Sequence, residues 1–151
     1  VSNGPRKATP EMVAAANPPP GFEAIVSNSA FAWENGPIFE RCDAEGRVRG
    51  FRVAERHINA GGICHGGMMM TFADILLATA VMDVAAPPFV TVRMTTDFID
   101  AARLGEWVQG RATCDGIADG LVAVVGDMSA GGRIVASASG LFKLLRRREK
   151  I

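Results

Sequence analysis

The chain has 151 residues, 48% of them hydrophobic and 21% charged, with sixteen Lys and Arg set against sixteen Asp and Glu. That is the size and make-up of one folded domain and excludes a disordered chain. A formal charge of zero argues against affinity built on nucleic-acid phosphates, and it leaves self-association unopposed by repulsion.

Residues 1–35 read as an N-terminal arm, partly flexible, because Asn17-Pro18-Pro19-Pro20-Gly21 sustains neither a helix nor a central strand. Phe22, Ile25, Phe31 and Trp33 follow, apolar residues able to dock on a core, with no element assigned to them. Two short runs, Ile38–Asp43 and Arg47–Val53, predict a hairpin closed at Ala44-Glu45-Gly46, where Gly46 supplies the positive φ.

A glycine-dense loop, Asn59 to Gly67, leads into a predicted helix over Met68–Val84 that stops before Pro87-Pro88. Its pattern is apolar almost all round, so it is expected to be buried on every side, with a length of about 25 Å. As a membrane span it is short, and it carries Asp74 and Asp83, so no membrane role is expected.

After the prolines the period becomes two. Val90–Phe98 predicts a strand with Val90, Val92, Met94, Thr96 and Phe98 on a dry face and Thr91, Arg93, Thr95 and Asp97 on a wet one. Three more strands, Trp107–Cys114, Leu121–Met128 and Arg133–Lys143, are separated by turn chemistry at Asp115–Gly120 and Ala130-Gly131-Gly132. In the last strand Ala136, Ala138 and Gly140 are small enough for a bulky helix to lie close. Residues 145–151 form a basic tail. The order β-β-α-β-β-β-β implies an α+β fold, an antiparallel sheet wrapped around one long helix, its other face solvated or covered by a partner subunit.

Cys42, Cys64 and Cys114 form no CxxC and no metal-ligand spacing, and read as reduced thiols of a cytoplasmic protein. No signal-peptide pattern is visible. With only His57 and His65, a zinc site built mainly of imidazoles is not expected.

Asp74 is the most informative residue. It lies about two turns into the helix, too deep for a cap or a dipole partner. At 100° per residue Gly67, Thr71, Asp74 and Ala78 share a wedge of about 60°, a small and polar face on a helix that is otherwise bulky. An unpaired buried carboxylate costs several kcal/mol, so Asp74 either bonds a structural partner or serves as a base or nucleophile facing a cleft. Cys64-His65-Gly66-Gly67 occupies the helix N-terminus, where backbone N–H groups lack acceptors and can meet a polarised carbonyl. The loop is neither a P-loop nor GxGxxG. A Cys64–His65 dyad is not expected, since adjacent residues do not face each other, and His65 reads as a residue that bonds locally and fixes the loop.

The run Asn59-x5-His65-Gly66-Gly67-x6-Asp74, with Val90-Thr91-Val92 and Leu104-Gly105-Glu106, resembles the hotdog-fold acyl-CoA thioesterases. Within them it is similar to the phenylacetate-degradation (PaaI-like) branch, which also takes in certain 4-hydroxybenzoyl-CoA thioesterases. The resemblance covers roughly residues 36–144 and implies the following roles. The Gly66 N–H polarises the thioester carbonyl, and Asp74 from the facing subunit attacks it or activates water. Asn59 holds the carbonyl or the water, and Thr91 positions the water. His65, Gly67 and Thr71 line the substrate. An aryl- or medium-chain acyl-CoA is hydrolysed to acid and CoA by a homodimer or homotetramer with its sites at the dimer interface, without cofactor or metal. Arg93, Arg103, Arg133 and Arg146–Arg148 are candidates for the CoA phosphates.

Two other readings stand beside this one. A hotdog hydratase would carry a His a few residues after its Asp, whereas here His65 precedes Asp74. A non-catalytic acyl-CoA-binding or regulatory domain would not need Gly66 and Asp74 together.

Overall fold

The computed structural model describes residues 4–146, so the run Arg147–Lys150 and its candidate phosphate ligands Arg147 and Arg148 lie outside the described residues. In chain order the elements are α1 (Pro10–Ala16), β1 (Glu23–Ala24), α2 (Ala30–Asn35), β2 (Phe39–Asp43), β3 (Gly46–Arg52), a 3-10 turn (Glu55–His57), α3 (Gly66–Val84), β4 (Phe89–Phe98), β5 (Trp107–Ala118), β6 (Leu121–Ala130) and β7 (Arg133–Leu144). One seven-stranded sheet runs β1-β2-β3-β5-β6-β7-β4, with every pairing antiparallel.

The three hairpins close where the turn residues predict. Gly46 takes φ 107°, Asp119 and Gly120 take 52° and 73°, and Gly131 and Gly132 take 55° and 78°. The last two pairs each have positive φ at both central positions, the geometry that matches the twist of the flanking strands. β5 outruns its predicted end at Cys114 because a bulge between Cys114 and Gly116 absorbs one residue and lets pairing continue to Ala118.

Residues 4–35 are tied to the sheet. Thr9 caps α1, its hydroxyl accepting from Met12 N at 3.3 Å, and Pro10 starts the helix. Ala16 then joins Phe22, Phe39 and Val48 in a small cluster with Trp107. Arg52 locks it, donating to the carbonyls of Ala16 and Asn17 and stacking 5.2 Å from the Trp107 ring.

The main core lies between the sheet and α3, built from Phe51, Phe72, Leu76, Leu77, Val108, Val124 and Phe142. Truncating any of these to Ala would cost about 2–5 kcal/mol. The small face of β7 does what it predicts: a Cβ on Gly140 would sit 3.0 Å from Leu77 Cδ1.

Two expectations are corrected. α3 is not buried on every side. Phe72, Ala73, Leu76, Leu77, Ala80 and Val81 pack inward, whereas Met70 and Met82 are exposed and Thr71, Asp74, Ile75 and Ala78 are half-exposed. The helix is long and apolar enough to cross a membrane by length and composition, yet 50% of that window is buried within this fold. On its outer side Ile75 and Ala78 border a cleft against the segment Ile25–Ala32, and Met70 and Met82 are exposed.

β4 is not a strand with one wet and one dry face, because it is an edge strand whose one neighbour among the described residues is β7. A bulge between Thr91 and Arg93 also shifts its phase. Thr91 pairs with Phe142 and Met94 with Gly140, so odd-numbered Thr91 and even-numbered Met94 share the helix face. Val92 and Phe98, assigned to the dry face, are 55% and 56% exposed.

Candidate active site

Asn59 begins the site by folding its own loop. Its Oδ1 accepts from Gly61 N at 2.9 Å and Ile63 N at 3.4 Å, and Gly62 takes φ 76° inside the turn. Cys64 N donates to Ala102 O and His65 N to His57 O, both at 2.7 Å, which seats the loop on the fold. The motif Leu104-Gly105-Glu106 supports the same region. Glu106 accepts from Arg103 N at 2.8 Å and takes both terminal nitrogens of Arg133 at 3.0–3.1 Å. The Arg133 guanidinium holds the Glu106 carboxyl below its ordinary range.

His65 is the N-cap of α3. Its Nδ1 accepts from Gly67 N at 2.8 Å, and its carbonyl takes Met68 N at 2.9 Å and Met69 N at 3.1 Å. Among the first four amides of the helix this leaves Gly66 N–H alone without an acceptor within the described residues. It is placed at the positive end of the helix dipole. Phe98 borders it, since a Cβ on Gly66 would lie 3.3 Å from that ring.

Asp74 sits eight residues on, about 12 Å along the helix axis. It is half-exposed rather than sealed, and its Oδ1 accepts from the Thr91 hydroxyl at 2.8 Å. Oδ2 makes no bond within the described residues. The carboxylate opens on a cleft of about 450 Å³ between α3 and the segment Ile25–Ala32, which brings in Thr71, Ile75, Ala78 and Arg49.

The predicted residues therefore fall into two groups. Asp74, Thr91 and Thr71 converge at mid-helix, although the Thr71 hydroxyl is turned back to Gly67 O at 2.9 Å. Asn59, His65, Gly66 and Gly67 gather at the helix start, where Gly67 N–H is taken by His65 and the Asn59 oxygen by its own loop. In one chain the two groups are too far apart to touch the same carbonyl.

Sequence reasoning missed Ile25–Ala32, Arg49 and Phe98 as parts of the site. The available signal was Ser29 before Ala30: its hydroxyl accepts from Ala32 N at 3.2 Å, a side-chain cap that starts α2. It also passed over buried His57, whose Nδ1 accepts from Ala54 N at 3.0 Å. The His57 Nε2 donates to Asn35 O at 3.1 Å, joining α2 to the loop.

Burial pushes the Cys64 thiol up to about 11, so it stays protonated and supplies no nucleophile. Of the phosphate candidates, Arg133 is consumed by Asp100 and Glu106. The side chains of Arg93 and Arg103 are exposed and make no bond within the described residues, and Arg103 pairs through its backbone with Ile63 of the glycine loop. No group of three potential metal ligands occurs among the described residues.

The Thioesterase superfamily model matches residues 61–134, from the glycine loop to the start of β7. A Pseudomonas aeruginosa protein named "Putative esterase" is 37% identical over 131 residues, 85% of this chain and 98% of that protein. The chain thus belongs to the thioesterase superfamily, with the hotdog fold, and is a thioester hydrolase. Zebrafish thioesterase superfamily member 2 superposes with a TM-score of 0.65 at 28% identity, over 72% of this chain and 81% of that one. The phenylacetic acid degradation protein PaaI of Thermus thermophilus, solved as a point mutant, gives 0.67 at 20% identity, over 78% and 100%. A hypothetical thioesterase of Streptococcus pneumoniae, solved with coenzyme A, gives 0.63 at 20%, over 68% and 83%. The last two share the fold.

Proposed function

We propose that the chain is a cytoplasmic acyl-CoA thioesterase acting on aryl- or medium-chain acyl groups, as a dimer in which each site is shared by two copies. The observation that carries this reading is the open Gly66 N–H at one end of α3 and the open Asp74 oxygen about 12 Å away on the same helix. Neither suffices alone. A second copy brings them together.

β4 supplies the means. It is a ten-residue edge strand with Val90, Val92 and Phe98 exposed and, among the described residues, no strand on its outer side, an edge suited to pairing. Thr91, near its start, lies at Asp74, while Phe98, at its end, lies at Gly66. Antiparallel pairing of two such edges about a two-fold sets the Thr91 end of one chain against the Phe98 end of the other. Asp74 of each copy then approaches Gly66 of its mate. The exposed outer side of α3 is covered by the same step, and the outer sheet face, with Val125 and Ile134 exposed, is available for pairing dimers into tetramers.

In that site the thioester carbonyl accepts from Gly66 N–H, whose position at a helix start stabilises the charge that develops on oxygen, worth about 10²–10³-fold. Asp74, held by Thr91 at Oδ1, uses Oδ2 to attack the carbonyl or to take the proton of an attacking water, worth about 10²–10⁴-fold. Asn59 Nδ2, unbonded within the described residues, is the group we assign to hold the carbonyl or that water. Arg103 and Arg93 flank the glycine loop and the edge strand, and are the groups we assign to the CoA phosphates. The neighbour solved with coenzyme A supports that class of ligand. The three free cysteines support a reducing compartment.

The test is thiol release from a panel of aryl-, medium- and long-chain acyl-CoAs, with wild type and Asp74→Asn side by side. Turnover that falls at least about 100-fold in the variant supports the reading. Acyl-CoA that binds without turnover would return the weight to a non-catalytic binding domain.

A further inference from the structure

The Asp74 cleft is lined by a second charged group, one that hydrolysis itself does not need. Arg49, on β3, lines the cleft with a side chain only 11% exposed. Its Nε donates to Glu40 at 3.0 Å, while its two terminal nitrogens make no hydrogen bond within the described residues. Ile25, Phe31, Ile75 and Ala78 give the cleft a mostly apolar lining, to which Ser27, Asn28, Ser29 and Thr71 add neutral polar groups. Phe31 is 65% exposed, an aromatic ring of α2 at the open side of the cleft.

The position of Arg49 along the helix follows from its strand neighbours. Arg47 bonds Asp83 at 3.0 Å, and the Phe51 ring lies 4.8 Å from that of Phe72. Arg49, midway between Arg47 and Phe51, therefore stands level with Ala78. That is one helical turn beyond Asp74, about 6 Å along the axis.

We propose that Arg49 is a specificity residue, and that the preferred acyl group is apolar along its length and carries a neutral oxygen acceptor about one helical turn from the thioester carbonyl. This rests on the thioesterase reading and adds the acyl chemistry to it. A guanidinium with free N–H groups in a mostly apolar cleft is left without a partner by a plain hydrocarbon chain, which makes the hydrocarbon the poorer ligand. Charge decides between a neutral acceptor and a carboxylate. Glu40 already pairs Arg49, Arg47 is shared between Glu40 and Asp83, and Asp74 stands uncompensated in the same cleft. Another carboxylate would add to an unbalanced negative charge, whereas a carbonyl or hydroxyl oxygen would not.

Three acyl-CoAs of nearly equal shape separate these alternatives: 5-oxohexanoyl-, 5-methylhexanoyl- and glutaryl-CoA, which bear at the same carbon a ketone, a branched methyl and a carboxylate. For the wild-type enzyme we expect kcat/KM for the ketone to exceed both others by about 10-fold or more. Arg49→Met should reduce the advantage over the branched methyl to about twofold or less, with Glu40→Met/Arg49→Met giving the same ratio if the single variant folds poorly. Equal rates for ketone and branched methyl in wild type, or a preference for glutaryl-CoA, would overturn the proposal. Failure to release thiol from any of the three or from the wider panel would count instead against the thioesterase reading beneath it.

Discussion

The Thr91 hydroxyl donates to Asp74 Oδ1 across 2.8 Å, tying the edge strand β4 to the middle of α3. The bond exists because the bulge after Thr91 turns that residue toward the helix. It fixes one carboxylate oxygen and leaves the other to act. Thr91→Val keeps the shape and removes the donor, so turnover should fall about 10- to 100-fold, less than for Asp74→Asn. The check is kcat for both variants with circular dichroism showing an intact fold. Unchanged kcat in Thr91→Val would make the bond merely structural.

Gly66 offers a separate test of the amide. It is the first helical residue after the His65 cap, a position where proline is tolerated, and His65 has the extended backbone (φ −62°, ψ 137°) that a following proline prefers. Gly66→Pro deletes the N–H, while Gly66→Ala adds the same Cβ against Phe98 and keeps it. The proline variant should be slower than the alanine variant by about 10²–10³-fold in kcat. Equal rates would show that the amide does not touch the transition state.

His57 predicts how the fold responds to acid. Burial holds its imidazole below the ordinary value of 6.5, with nearby Arg56 acting in the same direction. The unfolded chain therefore takes up this proton first as pH falls. The stability linked to neutral His57 is complete above about pH 6.5 and is lost as pH falls toward the depressed folded value. Thermal unfolding midpoints from pH 8 to 5 should decline below about 6.5, and His57→Gln should flatten that part of the profile. A wild-type midpoint that rises on acidification would contradict the assignment.

Gly110 sets how closely α3 approaches the sheet. A Cβ there would lie 2.6 Å from Leu76 Cδ2 and 2.5 Å from Asp127 O. Gly110→Ala should cost about 1–3 kcal/mol in denaturant unfolding, whereas alanine at exposed Gly116, with nothing within 4 Å, should cost less.

One face of the candidate site could be read from local chemistry. Gly67, Thr71, Asp74 and Ala78 form a small polar wedge by helical period alone, and that wedge is the partly open side of α3. The turns were legible because Gly46, Gly120, Gly131 and Gly132 must take positive φ. The phase of β4 was not, because a bulge is set by pairing with β7 and leaves no period of its own. Ile25–Ala32 was equally opaque. Its six-residue helix has little intrinsic stability and exists through the Ser29 cap and packing against α3. Arg49 read as one of the arginines of a strand, and only the crossing of β3 over α3 brings it to the Asp74 cleft.

The most direct test is complementation between two inactive variants. Gly66→Pro and Asp74→Asn would each be purified, unfolded together, refolded as a mixture and assayed for thiol release. In a shared site, half of the refolded dimers are mixed, and each mixed dimer has one site with both native groups and one with neither. The mixture should then recover about a quarter of wild-type activity. Activity no higher than the mean of the two parents would place Gly66 and Asp74 in the same chain's site or in no common site, and would contradict the account.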